Sequence, residues 1–405
     1  MSGVDFLDKL LGGVEVEWKP LGEVLVRTKG TKITAGEMKG LHKDDGTIKI
    51  FAGGKTIAFV NLEDIPAKDI NRKPSIIVKS RGVIEFEYFD KPFSHKNEMW
   101  SYHSSSAQIH VKFFYHFLKL NEPHFQQLGS KMQMPQIATP DTDKFLVPIP
   151  CPENPKKSLE IQAEIVRILD TFTELTTELT TELTTRKKQY NHYRDQLLSF
   201  EDGEVEWKTL GDIGDVKMCK RILKNETRSE GDVPFYKIGT FGKQADAFIP
   251  KEVYEDFRNR YSFPRKGDVL ISASGTIGRA VVYDGAPAYF QDSNIVWLDN
   301  DESIVTNRYL WHFYKIAKWF VSEGGTIDRL YNDNIKKTKI PVPYPNDPEK
   351  SLAEQNRVVA ILDKFDALTE SLTQGLPREI ELRQKQYGHY RNLLLSFPQQ
   401  EAIEA

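Results

Sequence analysis

The chain has 405 residues with a formal net charge of −3, and its 39% hydrophobic and 11% aromatic content excludes an intrinsically disordered protein. The slight negative charge also excludes a uniformly basic DNA-coating protein, so a nucleic-acid contact would need local basic patches or partner subunits. Two cysteines, Cys151 and Cys219, favour a reducing cytosolic compartment, and we expect neither a signal peptide nor a membrane helix, which needs about 18 apolar residues.

Three segments of the sequence occur twice in the same order. Residues 15–24 ("EVEWKPLGEV") return at 204–213, residues 148–159 at 341–352, and residues 187–200 ("KKQYNHYRDQLLSF") at 384–397. Such an ordered set of matches indicates a tandem duplication. The segments between them, 25–147 and 214–340, share almost nothing. We therefore expect two modules that do the same job on different targets.

The chain also begins with a partial third copy. Residues 7–18 ("LDKLLGGVEVEW") echo residues 194–207, where the end of a constant segment leads into a module. We therefore predict that the N-terminal and C-terminal regions pack together and close a pseudo-twofold ring of two halves.

The first module contains two segments that suit DNA contacts. Residues 76–89 predict a strand, a basic turn and a second strand, and an arginine at such a turn can bind guanine edges. Residues 93–104 combine amide, basic and aromatic groups. A solvated hairpin tip and a packed loop around Trp100 are equally consistent alternatives. The candidate DNA contacts of this module are Lys79, Ser80, Arg81, His95, Lys96, Asn97 and Tyr102.

A long helix is predicted after each proline cluster, with apolar residues recurring every three or four positions. Ser158 and Ser351 are candidate N-caps, the second with Glu354 in a capping box. Pro377 is expected to kink the second helix. Pairing of the two helices in an antiparallel coiled coil is favoured over a separate core helix in each domain.

The first helix contains a tetrapeptide that is written three times, "TELTTELTTELTT" at residues 173–185. Its leucines, Leu175, Leu179 and Leu183, lie at a helical spacing. Each unit of four residues adds about 6 Å to a helix. The cassette is therefore interpreted as a spacer that changes length in whole units.

The second module carries a basic segment at residues 216–228 and a glycine-rich loop, "SASGTIG", at residues 272–278. The basic segment suits phosphate contacts, although a solvated charged face is the alternative. Side chains that can read base edges follow at residues 289–294. The candidate DNA contacts of this module are Lys217, Lys220, Arg221, Ser272, Ser274, Thr276, Arg279, Gln291, Asn294 and Arg329.

No catalytic or metal-binding signature is found in the sequence. "GGKT" at residues 53–56 fails as a phosphate-binding loop because Lys49 occupies the place of the first glycine. The loop at residues 272–278 precedes an apparent strand, so a strand-turn-strand hairpin is favoured over an anion site at a helix N-terminus. We therefore predict a chain that is not an enzyme and holds no metal.

These features together resemble the specificity subunit of type I restriction-modification enzymes. The resemblance is carried by the duplicated order of segments, by the TELT cassette and by the "RKKQYNHYRDQLLSF" ending of the first helix, which is similar to the IC subfamily. Residues 267–298 resemble a frequent form of target-recognition domain in this family. The resemblance covers the whole chain.

The resemblance implies an α+β fold in which two α/β target-recognition domains with mixed sheets are separated by two long antiparallel helices that form a coiled coil, as a pseudo-twofold tandem repeat. The implied domains are residues 1–150 and 201–343 for recognition, with constant helical regions at 151–200 and 344–405. Each recognition domain would read one half of a bipartite asymmetric site in double-stranded DNA.

The resemblance also implies partners and a place of action. The constant helices would dock two methyltransferase subunits and, through them, the restriction and motor subunits, in a bacterial or archaeal cytoplasm. S-adenosylmethionine, ATP and Mg²⁺ would be bound by those partners, with no cofactor in this chain. Two other hypotheses stay open from the sequence: a coiled-coil adaptor that binds proteins, and a nucleotide-binding enzyme that uses the loop at residues 272–278.

Overall fold

The computed structural model describes residues 13, 15–54, 56–131, 133–199, 205–321, 328–371 and 373–398. The chain divides into two compact units, one formed by Met1–Leu179 with Ile380–Ala405 and the other by Thr180–Glu379. Each unit therefore combines one variable module with a part of each constant helical region.

Up to the end of the first long helix, the described residues contain nine strands and six α-helices. The strands are β1 (Val16–Pro20), β2 (Val26–Lys29), β3 (Ile48–Phe51), β4 (Ile57–Val60), β5 (Ser75–Lys79), β6 (Glu85–Phe89), β7 (Phe93–His95), β8 (Trp100–His103) and β9 (Leu146–Pro150). The helices are α1 (Leu21–Val24), α2 (Ala35–Leu41), α3 (Val111–Leu120), α4 (Glu122–Gly129), α5 (Thr139–Asp143) and α6 (Pro155–Leu197), the last of which continues into the second unit.

Two sheets form the first module. One is antiparallel in the order β2-β8-β5-β6, and the other has the order β4-β3-β7, with β3 antiparallel to β4 and parallel to β7. The hairpin of β5 and β6 confirms the strand, turn and strand predicted over residues 76–89. A separate antiparallel pair joins β1 to β9, with Trp18 opposite Pro148. The constant segments that precede and follow the module are thus paired with each other.

The second unit repeats the nine strands in the same order, with helices that differ in number and position. Its strands are β10 (Val205–Thr209), β11 (Gly214–Lys217), β12 (Val233–Tyr236), β13 (Phe248–Ile249), β14 (Val269–Ser272), β15 (Ala280–Val282), β16 (Tyr289–Phe290), β17 (Ile295–Asn300) and β18 (Lys339–Pro343). Its helices are α7 (Leu210–Ile213), α8 (Lys251–Arg260), α9 (Asn307–Tyr314), α10 (Asn332–Lys337) and α11 (Pro348–Thr369), and the chain continues into α12 (Gly375–Leu394).

The two modules have the same sheet topology. In the second, the four-stranded sheet has the order β11-β17-β14-β15 and the three-stranded sheet the order β13-β12-β16, with the parallel pair again between β12 and β16. Trp207 lies opposite Pro341, as Trp18 does opposite Pro148. Pairing depends on backbone hydrogen bonds and on which face is buried, so the modules keep one fold while their exposed side chains differ. This confirms the predicted pseudo-repeat with mixed sheets.

One helix in each module is more similar than the sequence comparison suggested. Residues 110–120 ("HVKFFYHFLKL") and 306–316 ("TNRYLWHFYKI") correspond to α3 and α9. The Nε2 atom of His116 lies 3.1 Å from a carboxylate oxygen of Asp170 on α6, and that of His312 lies 2.7 Å from one of Asp363 on α11. The view that the variable segments share almost nothing is therefore wrong at this helix, which docks each module onto a constant helix.

A second matched contact accompanies each histidine. The side-chain oxygen of Gln162 on α6 accepts a hydrogen bond from the backbone N–H of His110 at 2.9 Å, and Gln355 on α11 accepts one from Thr306 at 2.9 Å. Both glutamines are buried. Because these bonds satisfy polar groups inside the unit, they fix the entry of α3 and α9 onto the long helices.

The predicted N-caps lie one turn too late. α6 begins at Pro155, and the Asn154 side chain accepts a hydrogen bond from Lys157 N at 3.1 Å. Ser158 is instead buried inside the helix, where its hydroxyl accepts a hydrogen bond from Gln162. Proline is tolerated at the first helical position because its missing N–H has no partner there.

The second helical region begins in the same way. Asp347 caps α11 by accepting a hydrogen bond from Lys350 N at 3.0 Å. Ser351 is buried and bonds Gln355, while Glu354 pairs with Arg357 at 2.7 Å. The predicted capping box of Ser351 and Glu354 is therefore wrong.

The second helical region is interrupted, whereas a single kinked helix was predicted. α11 ends at Thr369 and α12 begins at Gly375, whose φ is +76°. A Cβ at Gly375 would lie 2.4 Å from the carbonyl oxygen of Ala367, so only glycine fits this reversal. Pro377 lies in the first turn of α12, where no N–H donor is needed.

Within the second unit, α6 runs antiparallel to α11, as predicted. Lys187 pairs with Glu370, next to the end of α11, at 3.1 Å, and the Tyr193 ring stacks on Phe365 at 5.6 Å between centroids. Residue numbers thus rise along one helix as they fall along the other. In the first unit, Phe172 of α6 stacks on Tyr390 of α12 at 5.2 Å.

The C-terminal segment packs into the core of the first unit. Leu394, Leu395 and Phe397 are buried there with residues of β1 and β9, and Trp18 Nε1 donates a hydrogen bond to the Pro398 carbonyl at 3.0 Å. This confirms the predicted packing of the two terminal regions for residues from 15 onward, whereas residues 1–12 and 14 lie outside the described part and the closure of a ring stays a prediction. None of the described helices is long and apolar enough to cross a membrane.

Candidate nucleic-acid interface

Two loops occupy equivalent places in the two modules. The hairpin loop comprises residues 80–84 between β5 and β6, and residues 273–279 between β14 and β15. The connecting loop comprises residues 96–99 between β7 and β8, and residues 291–294 between β16 and β17. Most of the candidate DNA contacts fall on these loops or beside them.

Backbone bonds establish which residues of the two hairpin loops correspond. Arg81 forms an isolated bridge with Gln136, and Ser274 forms one with Arg329. Each is followed by a glycine with positive φ, at +79° for Gly82 and +65° for the glycine after Ser274. Arg81 and Ser274 therefore occupy the same position of one framework with different chemistry.

A hydrogen bond joins the hairpin loop to the connecting loop in both units. The Ser80 hydroxyl donates to the Glu98 carbonyl at 2.7 Å, and the Ser274 hydroxyl donates to Asn294 Oδ1 at 2.8 Å. The structure thus brings together segments that are about 15 to 20 residues apart in sequence. The two loops therefore lie side by side in each module, and together they are called the polar edge.

In the first unit, Arg81 and Asn97 are the most accessible of the predicted contacts. Both side chains are exposed, and Arg81 Nε donates to the thioether of Met134 at 3.1 Å. Lys96 is half-buried and pairs with Glu98 at 2.7 Å. A weak thioether acceptor leaves most guanidinium donors of Arg81 available to a ligand.

Four other candidates in this unit are buried, which does not fit a direct DNA contact. Lys79 pairs with Glu85 at 2.6 Å and with Glu87 at 2.9 Å. Burial alone would lower the pKa of Lys79, but the hydrogen bonds to these carboxylates raise it above its ordinary value. Ser80 is also buried, with its hydroxyl committed to the connecting loop. These two residues hold the hairpin in place.

His95 and Tyr102 are fully buried in the sheets. His95 bonds Ser101 through Nε2 at 3.2 Å, and burial lowers its pKa, so the ring is neutral near pH 7. The Tyr102 hydroxyl bonds Thr142 at 2.7 Å and Asp143 at 2.5 Å. Alternation of polar and apolar residues would place such polar side chains on the exposed face of a strand. They point inward here because each has a hydrogen-bond partner inside the module.

The glycine-rich hairpin loop of the second unit is built around Ser272. This buried hydroxyl donates to the Thr276 carbonyl and accepts from Arg279 N. Thr276 is exposed at the tip, and the Arg279 guanidinium donates to the Phe241 carbonyl at 3.0 Å. A strand follows this loop, as predicted, so no helix N-terminus supplies an anion site for a nucleotide here.

The connecting loop of the second unit presents amide and charged groups. The Gln291 side-chain oxygen accepts from Ile238 N at 3.0 Å, and Arg329 Nη2 donates to the Ser293 carbonyl at 3.1 Å. Residues 322–327, which precede Arg329, lie outside the described residues. Arg221 pairs with Asp292 at 2.8 Å while its side chain stays 67% exposed.

The basic segment therefore lies against the connecting loop. Lys220 is exposed, with Nζ 5.3 Å from the centre of the Tyr261 ring, and Lys217 is half-buried at the end of β11. Asp292 lies within residues 289–294, which the sequence marks only for side chains that can read base edges. Its ion pair with Arg221 ties the two predicted contact segments together.

The cassette is helical throughout within α6. Leu175 is 37% exposed, and Leu179 and Leu183 are partly buried. Threonine hydroxyls bond back to carbonyls four residues earlier, as from Thr176 to Phe172 at 2.8 Å and from Thr184 to Thr180 at 2.9 Å. These bonds give the threonine hydroxyls a hydrogen-bond partner within the helix itself.

Across the residues that the structure describes, no group of three or more His, Cys, Asp or Glu side chains could hold a metal ion. The molecule instead defines a duplicated recognition protein, in which one framework displays two different polar edges beside long helices. The family model for the type I restriction modification DNA specificity domain matches residues 13–186 and 203–382. The chain therefore belongs to the family of type I restriction-modification DNA specificity proteins.

Relatives in this family match over nearly the full length. A putative type I restriction enzyme specificity subunit of Haemophilus influenzae, S.HindORF215P, is 44% identical over 97% of this chain and 98% of its own. The EcoR124I/EcoR124II specificity subunit of Escherichia coli is 36% identical over 100% of both chains. The crystal structure of a type I restriction-modification S subunit from M. genitalium shares the fold with a TM-score of 0.61 at 16% identity, over 96% of this chain and 98% of that chain.

Proposed function

We propose that each unit reads one half of a bipartite, asymmetric DNA site through its hairpin loop and connecting loop. The observation that carries this proposal is that the same two loops of one framework expose different side chains, Arg81 and Asn97 in the first unit and Thr276 in the second. Hydrogen bonds to base edges specify sequence, so two such edges suit two different half-sites. Arg81, Lys96 and Asn97 would contact the first half-site, and Thr276, Arg279, Gln291, Asn294 and Arg329 the second.

The basic segment of the second unit would contact the DNA backbone. Arg221 is tied to the connecting loop by its ion pair with Asp292, and Lys217 and Lys220 precede it in the same basic segment, where lysine and arginine suit phosphate. Ser272, Ser274, Lys79, Ser80, His95 and Tyr102 would hold the loops and strands without touching bases. This division follows from which side chains are exposed.

The constant helices would set the distance between half-sites and dock two methyltransferase subunits, to which restriction subunits are added. The names of the two sequence relatives, which call each a subunit of a type I restriction enzyme, support an assembly of this kind. S-adenosylmethionine, ATP and Mg²⁺ would act on those partners in the cytoplasm of the cell. This chain would supply specificity and no catalytic group.

Mapping of methylated adenines in cells that carry the complete system tests the proposal. The expected result is one asymmetric site in two parts, separated by a fixed gap. A variant with Arg81→Ala should change the first part alone. A single uninterrupted site, or a substitution in the first unit that changes both parts, would refute the assignment of one half-site to each unit.

A further inference from the structure

A third loop adjoins the two recognition loops in each unit. In the second unit this flanking loop comprises residues 237–247 between β12 and β13. In the first it comprises residues 52–56 between β3 and β4, which include the "GGKT" that fails as a nucleotide-binding motif. Lys55 lies outside the described residues.

The flanking loop bonds both recognition loops of the second unit. The backbone N–H of Ile238 donates to Gln291 Oε1 on the connecting loop at 3.0 Å, and the Phe241 carbonyl accepts from the Arg279 guanidinium on the hairpin loop at 3.0 Å. Two candidate contact residues are therefore positioned by this loop. A ligand at the polar edge must also lie beside it.

Close packing keeps the flanking loop in one conformation. Phe241 is buried in the module core, and Gly242 has a φ of +71°. A Cβ at Gly242 would lie 3.2 Å from a methyl carbon of Val281 on β15, so the backbone approaches the hairpin more closely than most residues allow. A loop that is already ordered loses little entropy when it binds a ligand.

The flanking loop also carries positive charge toward solvent. Lys243 is exposed, and among the described residues no carboxylate forms an ion pair with it. Lys237, by contrast, pairs with Asp246 at 2.8 Å. Lysine is a point charge on a flexible stem and suits a phosphate better than the two-point contact that identifies a base.

The first unit shows the same placement. A Cβ at Gly53 would lie 3.9 Å from the Arg81 carbonyl, so the turn between β3 and β4 borders the hairpin loop there as well. Gly54 has a φ of +65°. Both modules thus border their polar edge with a glycine-containing loop.

We propose that the flanking loop of the second unit is a DNA-backbone contact, in which Lys243 binds a phosphate and so sets the hairpin and connecting loops in register on the duplex. This inference rests on the proposed function. It assigns to Lys243 a contribution to affinity that does not depend on base sequence, whereas Gln291 and Arg279 would contribute to specificity.

Binding of the complete modification assembly to a duplex with its bipartite site tests the proposal across 50 to 200 mM salt. Lys243→Ala should reduce the slope of log affinity against log salt by about 0.9, since one fewer counterion is released. The ratio of wild-type affinity to Lys243→Ala affinity should therefore fall about 3.5-fold between 50 and 200 mM salt. A changed base pair in the second half-site should weaken both proteins by the same factor.

Lys251→Ala is the matched control. Lys251 is an exposed lysine at the start of α8, next to Asp232 and thus at the far end of β12 from the flanking loop. The same charge is removed, but the salt slope should not change. Lys243→Arg, which keeps the charge, should keep the slope of the wild-type assembly.

Three outcomes would overturn the inference. If Lys243→Ala has the salt slope of Lys251→Ala while the assembly still binds its bipartite site, the flanking loop touches no phosphate and the proposed function stands. If Lys243→Ala instead relaxes preference at one base pair, Lys243 reads a base and not the backbone. If the wild-type assembly binds no bipartite site at all, the proposed function fails together with the inference.

Discussion

Removal of the Asp363 carboxylate should selectively loosen the helix that docks the second module. His312 is fully buried, and its Nε2 donates to Asp363 at 2.7 Å because an ionised carboxylate can only accept. Arg308 also bonds this carboxylate, at 2.8 Å. Asp363→Ala would leave the imidazole N–H without its partner inside the unit.

The expected cost is about 1–3 kcal/mol for one buried polar group left unsatisfied. The ion pair with Arg308 adds little, since both side chains remain more than a third exposed. A loss of about 1–3 kcal/mol corresponds to roughly 5- to 150-fold lower protection against amide exchange in α9. Asp363→Asn retains an acceptor oxygen and should cost less.

Hydrogen exchange resolved by peptide mass spectrometry measures this effect with a control inside the same chain. α3 docks in the first unit through His116 and Asp170, at 3.1 Å, and should keep its protection in Asp363→Ala. Asp170→Ala should give the reverse pattern. Unchanged exchange in α9, or an equal change in both helices, would show that these contacts are not what holds each module to its constant helix.

Three further predictions concern pH, specificity and spacing. Burial lowers the pKa of His312 to about 4, although the hydrogen bond to Asp363 opposes this. Because the ring titrates near 6.5 in the unfolded chain, the free energy of unfolding should fall by up to roughly 3 kcal/mol as the pH is lowered from about 6.5 to 4. His312→Gln should flatten this dependence when unfolding is measured against pH. Arg81→Ala should cost about 1–3 kcal/mol of discrimination at one base pair of the first half-site in competition binding, while Arg72→Ala, at the opposite end of β5, should not. Deletion of one TELT unit, which shortens α6 by about 6 Å, should shorten the mapped gap and leave both half-sites unchanged; an altered half-site with the old gap would contradict the role of the cassette.

Much of the framework followed from the sequence, because repeats and alternation report backbone structure directly. The hairpin of β5 and β6, the strand after the glycine-rich loop and the antiparallel helices are confirmed. The helix starts were misplaced by one turn for a local reason. Asn154 and Asp347 each precede a proline at the first helical position. In the sequence, such a proline fits an extended segment before the helix as well as the first turn of the helix itself.

The similarity of α3 and α9 was missed for a physical reason. The apolar residues of the two helices differ in identity while keeping the same face buried, as with Phe113 and Tyr309. The polar partners of His116 and His312 lie more than 50 residues later in the sequence. Only folding brings those pairs together, so the polar residues looked isolated in each module.

Which of the candidate contacts are exposed could not be predicted from the sequence. Arg81 and Asn97 are exposed, but His95 and Tyr102, which have the same polar character, point into the sheets. Residue type indicates what a side chain could bind, whereas its direction depends on strand register. The flanking loop gives no signal of DNA contact in the sequence, because "GGKT" at residues 53–56 resembles only an incomplete nucleotide-binding motif.

The separation of docking from recognition explains how one framework can serve two targets. The contacts that hold a module, such as His312 with Asp363 and Gln355 with Thr306, lie on helices and are repeated in both units. The residues that differ, such as Arg81 and Ser274, lie on loops at the end of the sheets. Substitutions at exposed loop positions usually change stability by less than about 0.5 kcal/mol. A change of recognised sequence could therefore occur at the polar edge without loosening the helices, whereas a change at the docking histidines would alter the placement of every proposed DNA contact in that module at once.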